Sequence, residues 1–501
     1  MRANRSVIVT VLASVIFCGD TILAQPISFS RTDVSTGLAM KPPIIAADFN
    51  GDGMLDLLVN SHSLSENFGV YLLVGNGDGT FAAPALVFAP PFGSALNVAD
   101  VNGDGKLDIL FLSVDFELWV LLGQGTGAFG PPVRSPGIGA GARPLVIADL
   151  DGDRKPDVAF CNQNGGVTIA LGNGDGSFRP GGTFPISGGF VANGLAAADF
   201  NGDGNVDLAA TNPGAPDLFQ GTTISVLLGR GDGTFKAPDD YEVGTTPQDL
   251  IATDVNGDGN DDPVVVNVFS QGVSVLLGRG DGTFLPKVDD RTNGFPQAVA
   301  AADLNGDAHV DLAVCTPPAD VSVFVGSGDG PFGARLDVSA ADVCGSIATG
   351  DFNHDGRTDL AVIYPGPIGP VSIFLNTTAP PDTIPPDVTA SAAPTVLWPP
   401  NGKTTIVAIT GAVSDGGSGV DVSSGQFVVR DEYGIGQPSG HVSIAADGTY
   451  SAEIPLTASR HGDDSNGRTY TVAISVRDRA GNVGTAEVVV IVPHDRKDNG
   501  R

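Results

Sequence analysis

Oxygen donors dominate the side chains that could do chemistry in this sequence. Asp and Glu number 57 against 26 Lys and Arg, and many of the carboxylates fall in a nine-residue segment that occurs seven times. The first copy reads Asp48-Phe49-Asn50-Gly51-Asp52-Gly53-Met54-Leu55-Asp56. Asp or Asn occupies positions 1, 3, 5 and 9 of every copy. Hard oxygens on alternate residues of a tight loop, glycine at position 6 and a main-chain carbonyl at position 7 suit Ca2+. Mg2+ fits less well, because it demands a strict octahedron and keeps its water. The candidate ligands of the first segment are Asp48, Asn50, Asp52 and Asp56 with the carbonyl of Met54. Those of the second are Asp100, Asn102, Asp104, Asp108 and Lys106; the third offers Asp149, Asp151, Asp153, Asp157 and Lys155. The fourth has Asp199, Asn201, Asp203, Asp207 and Asn205, and the fifth Asp254, Asn256, Asp258, Asp262 and Asn260. The sixth has Asp303, Asn305, Asp307, Asp311 and His309, and the seventh Asp351, Asn353, Asp355, Asp359 and Arg357. Up to seven Ca2+ ions are the expected cofactor.

One such segment would read equally well as a turn, since Asp, Asn and Gly all favour turns. Seven copies with four positions kept argue for metal. Charge agrees, because the ligand positions hold 22 carboxylates, most of the net charge of −31. Three copies depart from the pattern and are expected to bind more weakly. Arg154 and Ala308 stand at position 6, where a positive φ favours glycine, and His354 stands at position 4. Neither His309 nor His354 has a second histidine or cysteine at zinc spacing. The acidity excludes nucleic acid, whose phosphates need a basic face. No Gly-x-Ser-x-Gly, His-Glu-x-x-His or phosphate loop occurs, and metal accounts for the Asp pairs. No catalytic residue is assigned. Arg230-Gly231-Asp232 and Arg279-Gly280-Asp281 spell an adhesion tripeptide, but each sits in a repeated turn and is read as turn chemistry.

The segments start 52, 49, 50, 55, 49 and 48 residues apart, which marks a repeat architecture. Six of the seven repeats also carry a Gly-x-Gly-x-Gly-x-Phe element, with Asp before the third glycine in all but the second, seen first at Gly75 to Phe81 and echoed at Phe129, Phe178, Phe235, Phe284 and Phe332. The last repeat lacks it, since Leu375 runs into Asn376-Thr377-Thr378. Phe29, however, lies 19 residues before Asp48, the spacing found elsewhere between that phenylalanine and the next segment. The missing piece is therefore at the start of the chain, as a closed ring requires when its N-terminal strand completes the last unit. About four short strands per repeat, with small residues such as Ala196-Ala197-Ala198 on the innermost strand, predict an all-β, seven-bladed β-propeller over residues 25–376.

These motifs resemble the FG-GAP/VCBS repeat family, best known from integrin α-subunit propellers. The resemblance covers about 350 residues. It implies calcium held in the hairpin between the first two strands of a blade, at the positions named above. It does not imply one activity, since propellers are scaffolds.

Met1 to Arg5 carries two arginines, followed by an apolar run to Phe17 and Ile22-Leu23-Ala24, the layout of a signal peptide over 1–24. A 12-residue apolar run is too short to span a bilayer, so no membrane insertion is expected. Export leaves Cys161, Cys315 and Cys344. Cys315 and Cys344 fall in adjacent blades at similar height, so two readings stand: one bridge between them, or three buried thiols. Asp382-Thr-Ile-Pro-Pro marks a linker over 377–386, and seven strand-like runs over 387–493 suggest an immunoglobulin-like sandwich, with a carbohydrate-binding module as the alternative. One run is His441–Ile444; a polar tail over 494–501 ends the chain. The expected function is that of a secreted, monomeric, calcium-binding adhesion protein with an extracellular protein or glycan as its partner. The alternative is a polysaccharide lyase or hydrolase with the sandwich as an accessory domain.

Overall fold

The structure is a computed structural model. It describes residues 27–494 except 62–67, 90–92, 114–116, 139–140, 189–190, 215–219, 319, 367–368, 380–381 and 462–466. The expected signal peptide lies outside the described residues. The chain divides into two compact units between Ala379 and Pro380.

Among the described residues the first unit is built of seven four-stranded antiparallel sheets, of which Met40–Ala47, Asp56–Ser61, Gly69–Leu73 and Ala85–Phe88 form the first. Second strands such as Asp157–Asn162 (Asp-Val-Ala-Phe-Cys-Asn) are buried at every residue, because neighbouring sheets cover both of their faces. Outermost strands such as Asp239–Glu242 are largely exposed and polar. The innermost strands touch in cyclic order, from Met40–Ala47 through Gly93–Ala99, Gly141–Ala148, Leu195–Ala198, Pro247–Thr253, Ala298–Ala302 and Ser346–Gly350 back to the first. Small residues at these positions permit that approach. The result is a β-propeller with no free sheet edge at its axis.

The ring is closed by the N-terminal strand. Phe29–Ser35 forms the outer edge of the sheet that also holds Ser346–Gly350, Asp359–Ile363 and Pro370–Asn376, pairing Phe29 with Asn376 and Ser35 with Pro370. At the inner edge the Ile44 N–H donates to Ser346 Oγ at 3.3 Å. A disulfide joins Cys315 to Cys344 across 5.3 Å between Cα atoms, so the bridged reading of the cysteines holds. Cys161 is a buried free thiol, and burial pushes its pKa up to about 12.

The second unit packs two sheets face to face. One orders its strands Asp387–Ala393, Thr404–Ser414, Thr449–Thr457, Ser443–Ile444; the other Ser439–His441, Gln426–Asp431, Arg468–Arg477, Val483–Val492. Val407, Ile409, Ile454, Tyr470, Val472, Ile474 and Val490 fill the space between them. The expected single strand His441–Ile444 is in fact two strands on different sheets. Val442, buried at the switch, turns the chain from one sheet to the other while its N–H donates to Gly425. The described strands of this unit therefore number eight rather than seven.

Candidate cation loops

Every nine-residue segment forms the hairpin between the first and second strands of a sheet. In the first, Asp48 Oδ1 accepts the Gly51 N–H at 2.7 Å and Oδ2 accepts that of Gly53 at 2.8 Å. Asn50 Oδ1 accepts the Asp52 N–H, and Asp52 Oδ1 accepts that of Met54, both at 2.8 Å. The loop thus winds around the position-1 carboxylate. Two left-handed residues make this possible, Gly51 at φ 76° and Gly53 at φ 84°. The three departures adopt the same backbone without glycine: Arg154 has φ 65°, Ala308 67° and His354 57°. Asp149 still accepts the Arg154 N–H, and Asp303 that of Ala308, each at 2.8 Å. The demand of position 4 for a left-handed residue was not anticipated, although glycine stands there in six copies.

In the third loop the carboxylate oxygens of Asp149, Asp151 and Asp153 lie within 4.8 Å of one another. Donors gather at these oxygens. Lys155 donates to Asp153 at 2.8 Å, holding that carboxyl below its ordinary range, and Arg179 donates to Asp151 at 3.1 Å. In four other loops an amide does the same, as Asn50, Asn256, Asn305 and Asn353 donate to Asp52, Asp258, Asp307 and Asp355. In the third loop the oxygens of positions 1, 3 and 5 thereby share one small locus that attracts positive charge, a donor set that fits a hard divalent cation. Side chains at position 7 (Met54, Lys106, Lys155, Asn205, Asn260 and His309) lie over the second glycine of their own sheet's Gly-x-Gly turn instead. Only their carbonyls remain for a metal.

Position 9 has a second role that sequence reasoning missed. The seven closing carboxylates, Asp56, Asp108, Asp157, Asp207, Asp262, Asp311 and Asp359, are fully buried. Each accepts the N–H of position 2 in its own loop: Phe49, Val101, Leu150, Phe200, Val255, Leu304 and Phe352. Each also accepts an N–H at the end of the third strand, from Gly75, Gly123, Gly172, Gly229, Gly278, Gly326 and Asn376. In the first sheet glycine is needed there because a Cβ on Gly75 would meet the Leu55 carbonyl at 2.2 Å. Burial raises Asp157, Asp207, Asp262, Asp311 and Asp359 to about 6, against the pull of those N–H groups, and shifts Asp56 and Asp108 the same way. Asp157 does not join the cluster of Asp149, Asp151 and Asp153.

Four of the loops are also roofed by a glycine turn of the next sheet. The carbonyls of Phe49, Leu150, Phe200 and Phe352 accept N–H groups from Gly127, Gly233, Gly282 and Gly79, all in the following sheet's Gly-x-Gly turn. The phenylalanine after that turn packs edge-on against position 2, with Phe49–Phe129 at 6.1 Å, Phe81–Phe352 at 5.8 Å and Phe200–Phe284 at 5.5 Å between centroids. Position 2 is apolar in all seven copies, a signal that was available in the sequence.

Two further features bear on binding. Asp382, Asp415 and Asp478 of the second unit also bring carboxylate oxygens within 4.8 Å, and were not singled out because they come from three distant segments. Arg230 and Arg279 donate back to the carbonyls of Phe235 and Phe284, so the two Arg-Gly-Asp turns spend their guanidinium groups internally.

The FG-GAP-like repeat model matches residues 48–111, 100–160, 149–210, 254–314 and 303–362, together more than half of the chain. No curated protein matches. Among solved structures, the chain is similar to BBS1N in complex with ARL6DN, soaked with lead, at 10% identity and a TM-score of 0.49, covering 70% of this chain and 98% of that one. The corresponding crystal soaked with mercury gives 9% identity and a TM-score of 0.48, covering 69% and 98%.

Proposed function

This chain belongs to the FG-GAP-like repeat family, and from that premise we propose that it is an exported binding protein whose propeller is held rigid by Ca2+ in its hairpin loops. One observation carries the calcium reading: oxygens of positions 1, 3 and 5 converge in the third loop, and the same backbone winding recurs around the ring. Asp149, Asp151 and Asp153, with the carbonyl of Lys155, would hold the ion there. Asp48, Asn50 and Asp52, and their equivalents, would do so in the other loops. When bound, the cation supplies positive charge that offsets the mutual repulsion of these carboxylates. The chain's own residues do the rest: the closing aspartates fix the strand ends, and the following sheet fixes position 2.

Adhesion to an extracellular protein or glycan is the role proposed for this rigid scaffold, supported by the repeats and by the basic-then-apolar layout of residues 1–24, read as an export signal. The second unit is read as immunoglobulin-like. In chain order its strands fall 1-2-6-5 on one sheet and 4-3-7-8 on the other, as in sandwiches of that class. The test is a glycan and matrix-protein array probed with the whole protein, with Ca2+ and with chelator. Calcium-dependent retention of one ligand class supports the proposal. Equal, featureless signals in both conditions overturn it.

A further inference from the structure

The junction where the ring closes is built differently from the others, and one residue takes over there. The seventh sheet has no Gly-x-Gly-Asp-Gly-x-Phe turn to cover the sixth loop. Asn376 stands at that place and is 1% exposed. Its main-chain N–H donates to Asp359 Oδ1 at 2.6 Å, where the other sheets use a glycine. Its Nδ2 donates to the carbonyl of Leu304 at 2.7 Å and to that of Thr358 at 3.0 Å. Its Oδ1 accepts the Thr378 N–H at 2.9 Å, which sets the amide so that nitrogen faces Leu304.

Leu304 is position 2 of the sixth loop, between the candidate ligands Asp303 and Asn305. Its N–H is already held by Asp311 at 2.8 Å. Asn376 therefore fixes the other end of the same residue's main chain, as Gly127, Gly233, Gly282 and Gly79 do elsewhere. Orientation of that peptide decides how Asp303 and Asn305 face each other. Asn376 also pairs with Phe29 of the N-terminal strand, and Phe29 packs in one cluster with Leu304.

We propose that Asn376 is a positioning residue for cation binding by the sixth loop, and that this binding is coupled to closure of the ring by the N-terminal strand. The inference rests on the calcium reading of the loops. Losing one buried hydrogen bond at Leu304 is expected to weaken that site on the order of tenfold.

The experiment is a Ca2+ titration of the full chain by calorimetry and native mass spectrometry. Asn376→Ala should weaken one ion and leave the others unchanged, and in an Asp303→Ala background it should have no further effect. In parallel, the slowing of amide exchange that Ca2+ produces in Phe29–Ser35 should be smaller in Asp303→Ala than in Asp199→Ala, which disables a loop of a sheet not adjacent to that strand. That second measurement carries the test if Asn376→Ala does not fold. A variant isotherm that superimposes on the wild type, an equal loss at every site, or calcium protection of Phe29–Ser35 that is the same in Asp303→Ala as in Asp199→Ala would each overturn the coupling. A wild type that binds no Ca2+ at all would instead overturn the loop reading itself.

Discussion

A buried carboxylate at position 9 meets two demands at once, and they can be separated by mutation. In Asp262→Ala the N–H groups of Val255 and Gly278 lose the carboxylate that accepts them both. The expected loss is about 2–4 kcal/mol, present even in excess chelator, because unsatisfied buried donors cost whether or not metal is bound. Asp254→Ala removes the half-buried acceptor around which the same loop winds, but the freed N–H groups of Gly257 and Gly259 are open to water, so it should cost less than Asp262→Ala in chelator and lose more when Ca2+ is present. Urea unfolding with and without Ca2+ compares them, and equal losses in chelator would refute the structural role given to position 9. Protons report on the same residues. Burial lifts Asp157, Asp207, Asp262, Asp311 and Asp359 from 3.8 to about 6, so between those values the metal-free folded chain keeps protons that the unfolded chain has released. Stability from this source is therefore full below about pH 4 and is lost as pH rises through 6. Metal-stripped protein should melt higher at pH 5 than at pH 7. Calcium should reverse the order, since ion and proton compete for the same loops. Thermal melts at the two pH values decide it.

Among the elements, strands joined by few turns depend on added ties. The disulfide between Cys315 and Cys344 links the strand Asp311–Thr316 to the connection entering the next sheet, across a separation of 29 residues. Reducing it should cost about 3 kcal/mol by freeing the unfolded chain. Thiol counting in denaturant on protein lacking residues 1–24 should find one free thiol, and three would exclude the bridge. In the second unit the tie is an ion pair. Arg468 donates to both oxygens of Asp431, at 3.0 and 2.6 Å, and lies between the rings of Tyr433 and Tyr470. With side-chain exposures of 6% and 0%, the pair cannot lose one member cheaply. Arg468→Met should lower this unit's stability by about 3–5 kcal/mol, because Asp431 would stay buried and uncompensated. A denaturant midpoint for the second transition that does not move would refute that.

For the whole molecule, calcium binding would act by mass action on the first unit. Each site held at a hundred times its dissociation constant would add about 2.7 kcal/mol to the folded state if the unfolded chain does not bind. Calorimetry of the intact protein should therefore show a transition that falls steeply on chelation, while a single calcium-independent profile would remove the metal from this account. Because the loops at Phe49, Leu150, Phe200, Leu304 and Phe352 borrow contacts from the next sheet, losses in one junction should spread to its neighbours and keep the transition cooperative.

Repetition alone determined the larger outline. Seven acidic segments, a phenylalanine at a fixed distance and its displaced copy at Phe29 specify a closed ring, because such spacing has no other use. Local chemistry was equally legible: alternating oxygens and left-handed glycines need no neighbours to be recognised. What the sequence could not show is the direction each oxygen faces. Asp157 reads like Asp149, yet one is buried against the N–H groups of Leu150 and Gly172 while the other stands in a cluster of three carboxylates. Ser225–Asp240, Ser274–Asp289 and Ser322–Asp337 share a spacing of 15 and a half-buried hydrogen bond across two strands, but the spacing means nothing until the strands are paired. The switch at Val442 was hidden for a related reason, since a run of strand-forming residues does not say which of two sheets it joins. Asn376 shows the limit most plainly. Its roles come from Leu304, Asp359 and Phe29, between 17 and 347 residues away in the chain, and only closure of the ring brings them together.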